Sequence, residues 1–384
     1  MRRIETIEPF RVMQLLERAK QLEAQGRHIV HFEIGEPDFP TPAPVIQAAH
    51  RQLDTGGQWY TPSTGLPALQ QALSRWYARE YGVDIAPERI LITPGSSGAF
   101  SLLYAVLLDA GESVLLSDPG YPCQRNFIRL AGGQPINIPV TPQTRYHLSA
   151  ELVDSHWRAN TRAAVIINPS NPTGTLIDEQ QLDKVAACCA AHGGYLISDE
   201  IYHGLTYGRR APTALAFDDR AIVVNGFSKR WAMTGWRIGW VVVPEELIDP
   251  CRRVMQNIFI AAPTLSQHAA IAALEASEEV EYMRQAYDQR RRFLLQALPE
   301  LGFDVVVEPE GAFYIYAHVG RLTHDATRLC WSLLEEAGVA ITPGEDFGCF
   351  RAREHVRFSY ATGLDDIQCG IRRIADFLKR GENA

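Results

Sequence analysis

Short apolar runs alternate with helical periods through the middle of the chain. The runs are rich in β-branched residues and predict buried strands over residues 90–92, 114–116, 163–167, 195–198, 222–225 and 238–243. Between them, apolar residues at three- and four-residue spacing predict helices over residues 66–77, 99–108 and 179–191. Strands that are apolar throughout and separated by helices are typical of a mostly parallel α/β sheet covered on both faces.

The two ends of the chain follow a different pattern. The carboxyl end predicts a helix over residues 278–297, strands over 303–307 and 313–317, a helix over 326–337, a strand over 356–359 and a helix after Leu364. The amino end offers a helix over residues 12–25 and an extended segment over residues 29–34, too little to form a core alone. We therefore expect residues 1–45 to pack with a small α+β domain of residues 281–384, beside a large domain of residues 46–280.

Composition and charge narrow the classes of partner. The 384 residues are 46% apolar and carry a net charge of −8, which argues against a nucleic-acid partner. The densest basic group, Arg290-Arg291-Arg292, lies in a predicted helix and is interpreted as a solvated face. The longest apolar runs, such as residues 102–108, fall short of the roughly 20 residues that a membrane span requires, so no membrane partner is predicted.

The cysteines give no sign of a disulfide framework or a metal centre. There are 7 of them, and they form neither a CxxC pair nor a Cys/His group with zinc spacing. This pattern indicates reduced thiols and predicts no metal site. Because the first residues also lack the apolar run of a signal peptide, we expect a cytoplasmic protein.

Ser228-Lys229 is the strongest chemical signal in the chain. The pair follows a predicted apolar strand, and Arg237 comes 8 residues after the lysine. A lone lysine after a strand is usually a solvated surface residue. With hydroxyl and arginine neighbours, however, a lysine in this place can form an imine while those neighbours hold a phosphate group.

Two further segments with chemical potential follow predicted strands. Asp199 ends a buried strand, where its carboxylate can either cap a helix or pair with a protonated ring nitrogen. Asn171 lies in the rigid turn Asn168-Pro-Ser-Asn171-Pro-Thr-Gly174. It is either a plain turn residue or, together with Tyr202, a donor to the phenolic oxygen of a cofactor. Taken singly, each position leaves both interpretations open.

Three weaker signals complete the set. Ser96, Ser97 and Gly98 join a strand to a helix, where backbone N–H groups can bind an anion. Tyr121 follows the next strand and is either a core residue or a platform for a flat ring. Arg357 lies in an apolar strand near the carboxyl end and needs an anionic partner, either an internal carboxylate or that of a substrate.

In this order, the motifs resemble those of the class I and II aminotransferases, enzymes of pyridoxal phosphate (PLP) fold type I. The resemblance runs over nearly the whole chain and rests on an ordered set: Gly35-Glu-Pro-Asp-Phe39, Tyr60, Gly95-Ser-Ser, Asn171-Pro-Thr-Gly174, Asp199–Tyr202, Ser228-Lys229, Arg237 and Arg357. It implies an α/β fold of two parts. A large domain would hold a mixed, mostly parallel seven-stranded sheet between helices, and a smaller α+β domain would be built from both termini.

The resemblance also implies PLP as the cofactor and assigns catalytic roles. Lys229 looks like the lysine that carries PLP as a Schiff base and then moves a proton between the substrate Cα and the cofactor. Asp199 would pair with the ring nitrogen, and Asn171 and Tyr202 with the phenolic oxygen. Further contacts to the cofactor are implied for Ser96, Ser97, Gly98, Tyr121, Ser228 and Arg237.

Substrate and subunit contacts follow from the same resemblance. Gly35, Asn171 and Arg357 would position the substrate, and the segment around Val12 and Ile34 would close over it. Tyr60 matches a family tyrosine that reaches the phosphate of the neighbouring subunit, which implies a homodimer. The implied reaction moves an amino group from an L-amino acid to a 2-oxo acid, such as 2-oxoglutarate or pyruvate, by a ping-pong mechanism.

The side chain of the amino donor is less constrained. No residue matches a second arginine for a substrate carboxylate, and this weakens the case for a dedicated aspartate or glutamate enzyme. The start Pro9-Phe10-Arg11-Val12-Met13 and the abundant aromatic residues favour a neutral or aromatic side chain. Aspartate and alanine stay open as donors.

Three alternatives compete with this interpretation. A PLP-dependent cysteine–sulfur β-lyase would use the same lysine, aspartate and arginine. A non-catalytic sensor on the same fold resembles fusions with an amino-terminal DNA-binding module. Because the aminotransferase pattern begins almost at Met1, we expect no such module here. A nucleotide-dependent dehydrogenase would need a glycine fingerprint after its first strand, and the chain lacks one.

Overall fold

The computed structural model describes residues 3–7, 9 and 11–382. Its α-helices are α1 (Arg11–Ala24), α2 (Ala43–Asp54), α3 (Pro67–Tyr81), α4 (Gly95–Leu107), α5 (Pro122–Ala131), α6 (Ala150–His156), α7 (Glu179–Ala191), α8 (Glu245–Ile258), α9 (Thr264–Ala273), α10 (Ser277–Glu300), α11 (Ala326–Ser332) and α12 (Leu364–Glu382). A π-helical turn, Leu333–Ala337, extends α11. Every helix predicted from the apolar spacing is present, with ends shifted by a few residues.

The strands include all six that the middle of the chain predicts. They are β1 (Val30–His31), β2 (Ile90–Thr93), β3 (Ser113–Asp118), β4 (Gln134–Pro139), β5 (Thr161–Ile167), β6 (Tyr195–Asp199), β7 (Ile222–Gly226), β8 (Gly239–Val242), β9 (Tyr314–His318), β10 (Val339–Ala340), β11 (Thr342–Pro343) and β12 (His355–Ser359). The apolar pattern missed β4 because this strand contains Pro135 and Pro139. Prolines are tolerated there because β4 lies at the edge of its sheet.

Seven strands form the large sheet, in the order β2-β8-β7-β6-β5-β3-β4. β8 runs antiparallel to both of its neighbours, and the other pairs are parallel. Alternate residues of each strand enter separate apolar clusters on the two faces. In β5, for example, Ala164 and Ile166 pack on one face and Val165 on the other. The predicted mixed, mostly parallel sheet between helices is therefore confirmed.

The register of the parallel strands brings their carboxyl ends to one edge of the sheet. Ile167 at the end of β5 pairs with Asp199 at the end of β6, and Asp199 pairs with Val224 in β7. The turn that contains Asn171 and the turn that contains Lys229 leave the sheet at this same edge. In open α/β sheets, this edge is where ligands bind.

Both ends of the chain build the smaller α+β unit, as the sequence predicts. β9, β11 and β12 form an antiparallel sheet in the order β11-β12-β9. β1, from the amino end, pairs in parallel with β10, through Val30 to Val339 and His31 to Ala340. The limits of the three segments, 1–45, 46–280 and 281–384, stay predictions.

Two sequence predictions in the carboxyl third are wrong. Residues 303–307 form no strand; Asp304 makes one isolated bridge with His318. Nor is the basic group of α10 a solvated face, since Arg290 and Arg291 are both buried. Arg290 pairs with Asp38 at 2.8 Å, and Arg291 pairs with Asp288 and Glu308 at 2.8 and 2.6 Å. Local spacing suggested an exposed face because the acidic partners of Arg290 and Arg291 were not recognised.

The helices give no indication of a membrane span. Within the described residues, none of them is both long enough and apolar enough to cross a bilayer. The cytoplasmic location stays a prediction.

Candidate active site

A cavity of roughly 320 Å³ lies at the carboxyl edge of the large sheet. Among the candidate catalytic, cofactor-binding and substrate-binding residues, eight line it: Gly35, Ser96, Tyr121, Asn171, Asp199, Tyr202, Lys229 and Arg357. These residues come from segments that are far apart in the chain. Because they meet in one cavity, a shared functional role explains them better than separate structural roles, such as a surface lysine, a turn residue or a core tyrosine.

Lys229 lies on the turn that follows β7 and points its amine into the cavity. Its Nζ donates a hydrogen bond of 2.6 Å to the backbone oxygen of Gly35. Burial lowers the pKa of Lys229 to about 8, and the positive charges of Arg357 and Arg237 act in the same direction. A larger fraction of the amine is thus unprotonated at neutral pH than in a surface lysine, as a nucleophilic amine requires.

Asp199 ends β6 and lines the same cavity. One of its oxygens accepts a hydrogen bond from the backbone N–H of Ile201 at 3.2 Å. Burial raises the pKa of Asp199 to about 7, opposed by that hydrogen bond and by the charge of Lys229. Residues 201–204 form turns and no helix follows Asp199 directly, so the helix-cap interpretation of Asp199 is wrong.

The first turn of α4 and Arg237 form a cradle for an anion. α4 begins at Gly95, so Ser96, Ser97 and Gly98 lie in its first turn, where backbone N–H groups lack helical partners. Gly95 has a φ of +72°, and a Cβ there would lie 2.7 Å from an Nη atom of Arg237. The missing side chain at Gly95 therefore lets the guanidinium approach the helix end.

Two tyrosine hydroxyls meet inside the cavity. The hydroxyl of Tyr202 lies 2.8 Å from that of Tyr314, and both rings are buried. Burial raises the pKa of each hydroxyl, so both stay protonated at neutral pH. Tyr202 can therefore donate a hydrogen bond, as the sequence analysis expects, and Tyr314 is a second donor that the sequence analysis missed.

Arg357 lies in the middle of β12 and is held by neutral oxygens. Its Nη1 donates to Oδ1 of Asn171 at 3.1 Å, and its Nη2 donates to the backbone oxygen of Glu33 at 2.6 Å. Its Nε is buried without a hydrogen-bond partner. Among the described residues, no carboxylate lies within ion-pair distance of this guanidinium, so the internal salt-bridge alternative is wrong. The charge is therefore available to an anionic ligand.

Five of the candidate residues do not line the cavity itself. Ser97 and Gly98 lie beside it in α4, Ser228 is buried next to Lys229, and Arg237 packs against Gly95. Tyr60 is 80% exposed and so lies apart from the cavity of its own chain. Its contribution to a site would require a second copy of the chain.

The sequence analysis missed part of the cavity wall. Besides Tyr314, the missed residues are Leu16, Glu33, Ile167 and Ile201, whereas Met13 and Glu36 belong to segments that the sequence had already singled out. Val12 and Ile34, which the sequence analysis placed over the substrate, do line the cavity, whereas Phe10 lies outside the described residues. Alternation along β9 could have suggested Tyr314, but it does not tell which face of that strand meets the cavity.

The donor set fits PLP on chemical grounds. The α4 terminus with Arg237 offers a phosphate cradle, Lys229 offers an amine for the aldehyde, and Asp199 offers a carboxyl group for the ring nitrogen. The open Gly95 position is the observation that supports the phosphate end, since any side chain there would collide with Arg237. Tyr121, in the wall of the same cavity, offers an aromatic ring for stacking.

Comparisons with known proteins agree with this assignment. Residues 27–374 match the family model described as aminotransferase class I and II. The chain is 38% identical to a (5-formylfuran-3-yl)methyl phosphate transaminase of Methanocaldococcus jannaschii over 99% of each sequence. It is also 38% identical to a valine–pyruvate aminotransferase of Mycobacterium tuberculosis over 97% of each sequence.

The fold agrees with solved structures of such enzymes. An aspartate aminotransferase from Thermus thermophilus, solved with maleate, superimposes with a TM-score of 0.93 at 35% identity and covers 98% of each chain. The family match spans most of the chain, and the relatives cover nearly all of it. The chain therefore belongs to the class I and II aminotransferases, a family of PLP-dependent enzymes of fold type I.

Proposed function

We propose that this enzyme transfers the amino group of an L-amino acid with a neutral or aromatic side chain to a 2-oxo acid, such as 2-oxoglutarate or pyruvate, in a ping-pong reaction. The observation that carries the proposal is the meeting of Lys229, Asp199 and Arg357 in one cavity. Amino transfer needs three groups in this cavity: an amine with a lowered pKa, a buried carboxyl group, and an arginine without a carboxylate partner.

Lys229 has two tasks in this proposal. When bound, PLP supplies an aldehyde that takes up the amino group and a ring that withdraws electrons from the substrate Cα. The Lys229 amine would hold the cofactor through that aldehyde, and the same amine would act as a base toward the substrate. With its pKa lowered to about 8, the free amine can then remove the proton from the substrate Cα.

Asp199, Asn171 and Tyr202 adjust the electronic state of the ring. With the cofactor bound, a carboxylate at Asp199 would stabilise a proton on the ring nitrogen, and that positive charge would in turn lower the pKa of Asp199 from its value of about 7. Tyr202 stays protonated because of burial and can donate to the phenolic oxygen. Asn171 can donate its amide N–H because its Oδ1 already accepts from Arg357.

Several residues anchor the phosphate group of the cofactor. Backbone N–H groups in the first turn of α4 and the guanidinium of Arg237 provide the strongest attraction for its charge. The remaining donors in this proposal are the hydroxyls of Ser96, Ser97 and Ser228. Gly98 lies with Ser96 and Ser97 in the first turn of α4 and would contribute through its backbone. Tyr121, which lines the cavity, would offer its aromatic ring for stacking on the cofactor.

Arg357 positions the substrate through its α-carboxylate. Its guanidinium lies among neutral oxygens, so the approach of a carboxylate would satisfy the charge with a forked pair of hydrogen bonds. Gly35 borders the same space, where a Cβ would lie 2.4 Å from the hydroxyl of Tyr314 and would block access. Glycine at this position thus keeps room for the substrate beside Lys229.

The cavity wall supports the preference for neutral or aromatic side chains. Val12, Met13 and Leu16 of α1 contribute apolar surface, and Glu36 contributes a negative charge. Arg357 is the sole arginine among the described residues of this wall, so a second carboxylate would lack a partner of its own. A relative named for valine and pyruvate agrees with this preference, while one named for aspartate keeps aspartate open as a donor.

The enzyme would act as a homodimer in which Tyr60 completes the site of the partner. Trp59 and Tyr60 are 81% and 80% exposed, unusual values for large aromatic residues that follow one another. Burial of this pair against a second copy would remove their apolar surface from water. It would also bring the Tyr60 hydroxyl of one subunit to the cofactor phosphate in the site of the other subunit.

Product analysis tests the reaction. Purified holoenzyme is incubated with single L-amino acids in the absence of any 2-oxo acid, and oxo acid and ammonia are quantified. Amino transfer gives one equivalent of oxo acid per active site and no ammonia, and addition of a 2-oxo acid starts turnover. Sustained release of pyruvate and ammonia from a β-substituted amino acid would contradict the proposal and establish the β-lyase.

A further inference from the structure

A group of metal-binding side chains lies where α6 packs against the end of α7. Among the described residues, the carboxylate of Asp154, the thiol of Cys188 and the imidazole of His192 place one ligand atom each within 4.8 Å of the others. Cys188 lies in α7, and His192 lies four positions later, directly after the helix. Residues four apart project from the same side of a helix. Asp154, in α6, completes the group from the neighbouring helix.

We propose that Asp154, Cys188 and His192 bind a thiophilic divalent cation of the Zn²⁺ type. Thiolate, imidazole and carboxylate are the three ligand types that Zn²⁺ takes in proteins, with a water molecule completing a tetrahedron when the protein supplies three. Mg²⁺ and Ca²⁺ prefer all-oxygen sites, so the thiol argues against them. The site is distinct from the amino-transfer cavity, which none of the three residues lines.

The present distances require small adjustments only. Tetrahedral Zn²⁺ holds its ligands at about 2.0–2.3 Å, so neighbouring ligand atoms lie roughly 3.3–3.8 Å apart. Nε2 of His192 lies 2.8 Å from Oδ1 of Asp154, and no pair of ligand atoms exceeds 4.8 Å. Side-chain rotations that move each ligand atom by about 1 Å would therefore suffice, without displacement of either helix.

The surroundings already orient the imidazole and leave the ligands accessible. The His192 ring stacks on Trp157 with ring centroids 5.0 Å apart and an angle of 10° between the planes. Cys188 makes only a weak contact of 3.6 Å to the backbone oxygen of Ala150. The side chains of His192 and Asp154 are 33% and 69% exposed, so an ion can enter from solvent. Coordination would take the proton from the thiol, as metal-bound cysteines require.

The sequence did not reveal this site because its ligands do not form a local motif. Cys188 and His192 are close in the chain, but Asp154 comes 38 residues before His192. A lone Cys-x-x-x-His pair has no strong meaning without further ligands. The third ligand becomes visible once α6 and α7 are seen to pack together, so the expectation of a chain without a metal site is revised here as a proposal.

Metal binding by the purified holoenzyme tests the proposal directly. Equilibrium dialysis against Zn²⁺, and ultraviolet absorbance with Cd²⁺, should give one bound ion per chain and a thiolate-to-metal charge-transfer band. Cys188→Ser should remove the band, and His192→Ala should weaken binding by about tenfold or more. The matched control is Cys369→Ser, which changes another partly buried thiol and should leave both signals intact.

Two readouts separate this proposal from the proposed function. Trp157→Phe should abolish a metal-induced change of tryptophan fluorescence, because Trp157 stacks on His192. It should leave the stoichiometry of metal binding unchanged, because Trp157 supplies no ligand atom. Aminotransferase rates of Cys188→Ser should equal those of the wild type. Binding of Zn²⁺ or Cd²⁺ that is equal in wild type and Cys188→Ser, or the absence of a stoichiometric site, would overturn the proposal and leave a surface hydrogen bond between Asp154 and His192.

Discussion

Asp199, the last residue of β6, and Glu200, which follows it, are consecutive buried carboxyl groups that face different regions of the molecule. Asp199 lines the cavity, and the hydrogen bond it accepts comes from the N–H of Ile201. Glu200 points into the protein interior, where one oxygen accepts hydrogen bonds from the hydroxyls of Ser198 and Thr213 and from the N–H of Ala214.

The comparison shows that a raised pKa does not by itself distinguish a functional carboxyl group from a structural one. Burial raises the pKa of Asp199 to about 7 and that of Glu200 to about 8. The two carboxyl groups differ in their hydrogen-bond partners. The protein supplies three donors to Glu200 but only the Ile201 N–H to Asp199, so Asp199 has further capacity to pair with a ligand. We therefore expect substitutions on the cavity side to affect catalysis, and those on the interior side to affect stability.

The largest expected effect on the cavity side comes from Lys229→Ala. Loss of the amine that holds the cofactor and moves the proton should lower kcat by about 10⁴-fold or more. The matched control is Lys184→Ala, an exposed lysine of α7, which should retain the wild-type rate. Steady-state assays with circular dichroism of each protein separate loss of chemistry from loss of folding, and a wild-type rate for Lys229→Ala would refute its assignment.

The neighbouring pair allows a second, matched test. Asp199→Asn should lower kcat by about 10²–10³-fold, because a neutral amide cannot stabilise a proton on the cofactor ring. Glu200→Gln should stay within about threefold of the wild type, because with its pKa near 8 the native side chain is largely protonated at neutral pH. Equal losses in both variants, measured with saturating substrates, would remove the distinction between the two sides of β6.

The interior side should respond in stability. Glu200→Ala leaves the donors of Ser198, Thr213 and Ala214 without their acceptor and creates a small cavity. The free energy of unfolding should fall by about 3 kcal/mol, while kcat of the folded holoenzyme stays close to that of the wild type. Denaturant unfolding of both proteins gives this difference, and an unchanged midpoint would show that the Glu200 contacts do not stabilise the fold.

The smallest expected effect concerns the cofactor-free enzyme and its pH dependence. The pKa of Asp199 is raised in the folded state, to about 7 from an unfolded value of roughly 3.9, so its ionisation opposes folding as the pH rises between those values. Asp199→Asn removes this cost and should be more stable than the wild type at pH 8, by about 1 kcal/mol or more. Unfolding curves at pH 5 and pH 8 should show the gap widening with pH, and a gap that narrows would contradict the sign.

The sequence predicted the architecture better than the surroundings of individual charges. Apolar runs and helical spacing located six strands of the large sheet because both faces of that sheet are buried. They missed β4, whose prolines are allowed only at an edge. They also misjudged Arg290 and Arg291, because the partners Asp38 and Glu308 lie outside α10 and leave no pattern within the helix.

The candidate site could be predicted where residues follow strands in an ordered set of motifs. Lys229, Asp199 and Asn171 were found in this way, and Arg357 was found as a charged residue within an apolar strand. The structure places all four in one cavity. Tyr314 was not found, because its meeting with Tyr202 depends on how β9 faces the end of β6. Contacts of this kind depend on the packing of elements, which local spacing does not encode.

We propose that Lys229 and its cavity carry out reversible amino transfer with neutral or aromatic amino acids. The most direct measurement is the visible spectrum of the purified holoenzyme, first with one such amino acid and then with 2-oxoglutarate or pyruvate. We expect the absorbance band of the lysine-bound cofactor to disappear with the amino acid and to return with the oxo acid. A band that responds to no amino acid, or that stays unchanged while ammonia is released, would contradict the claim.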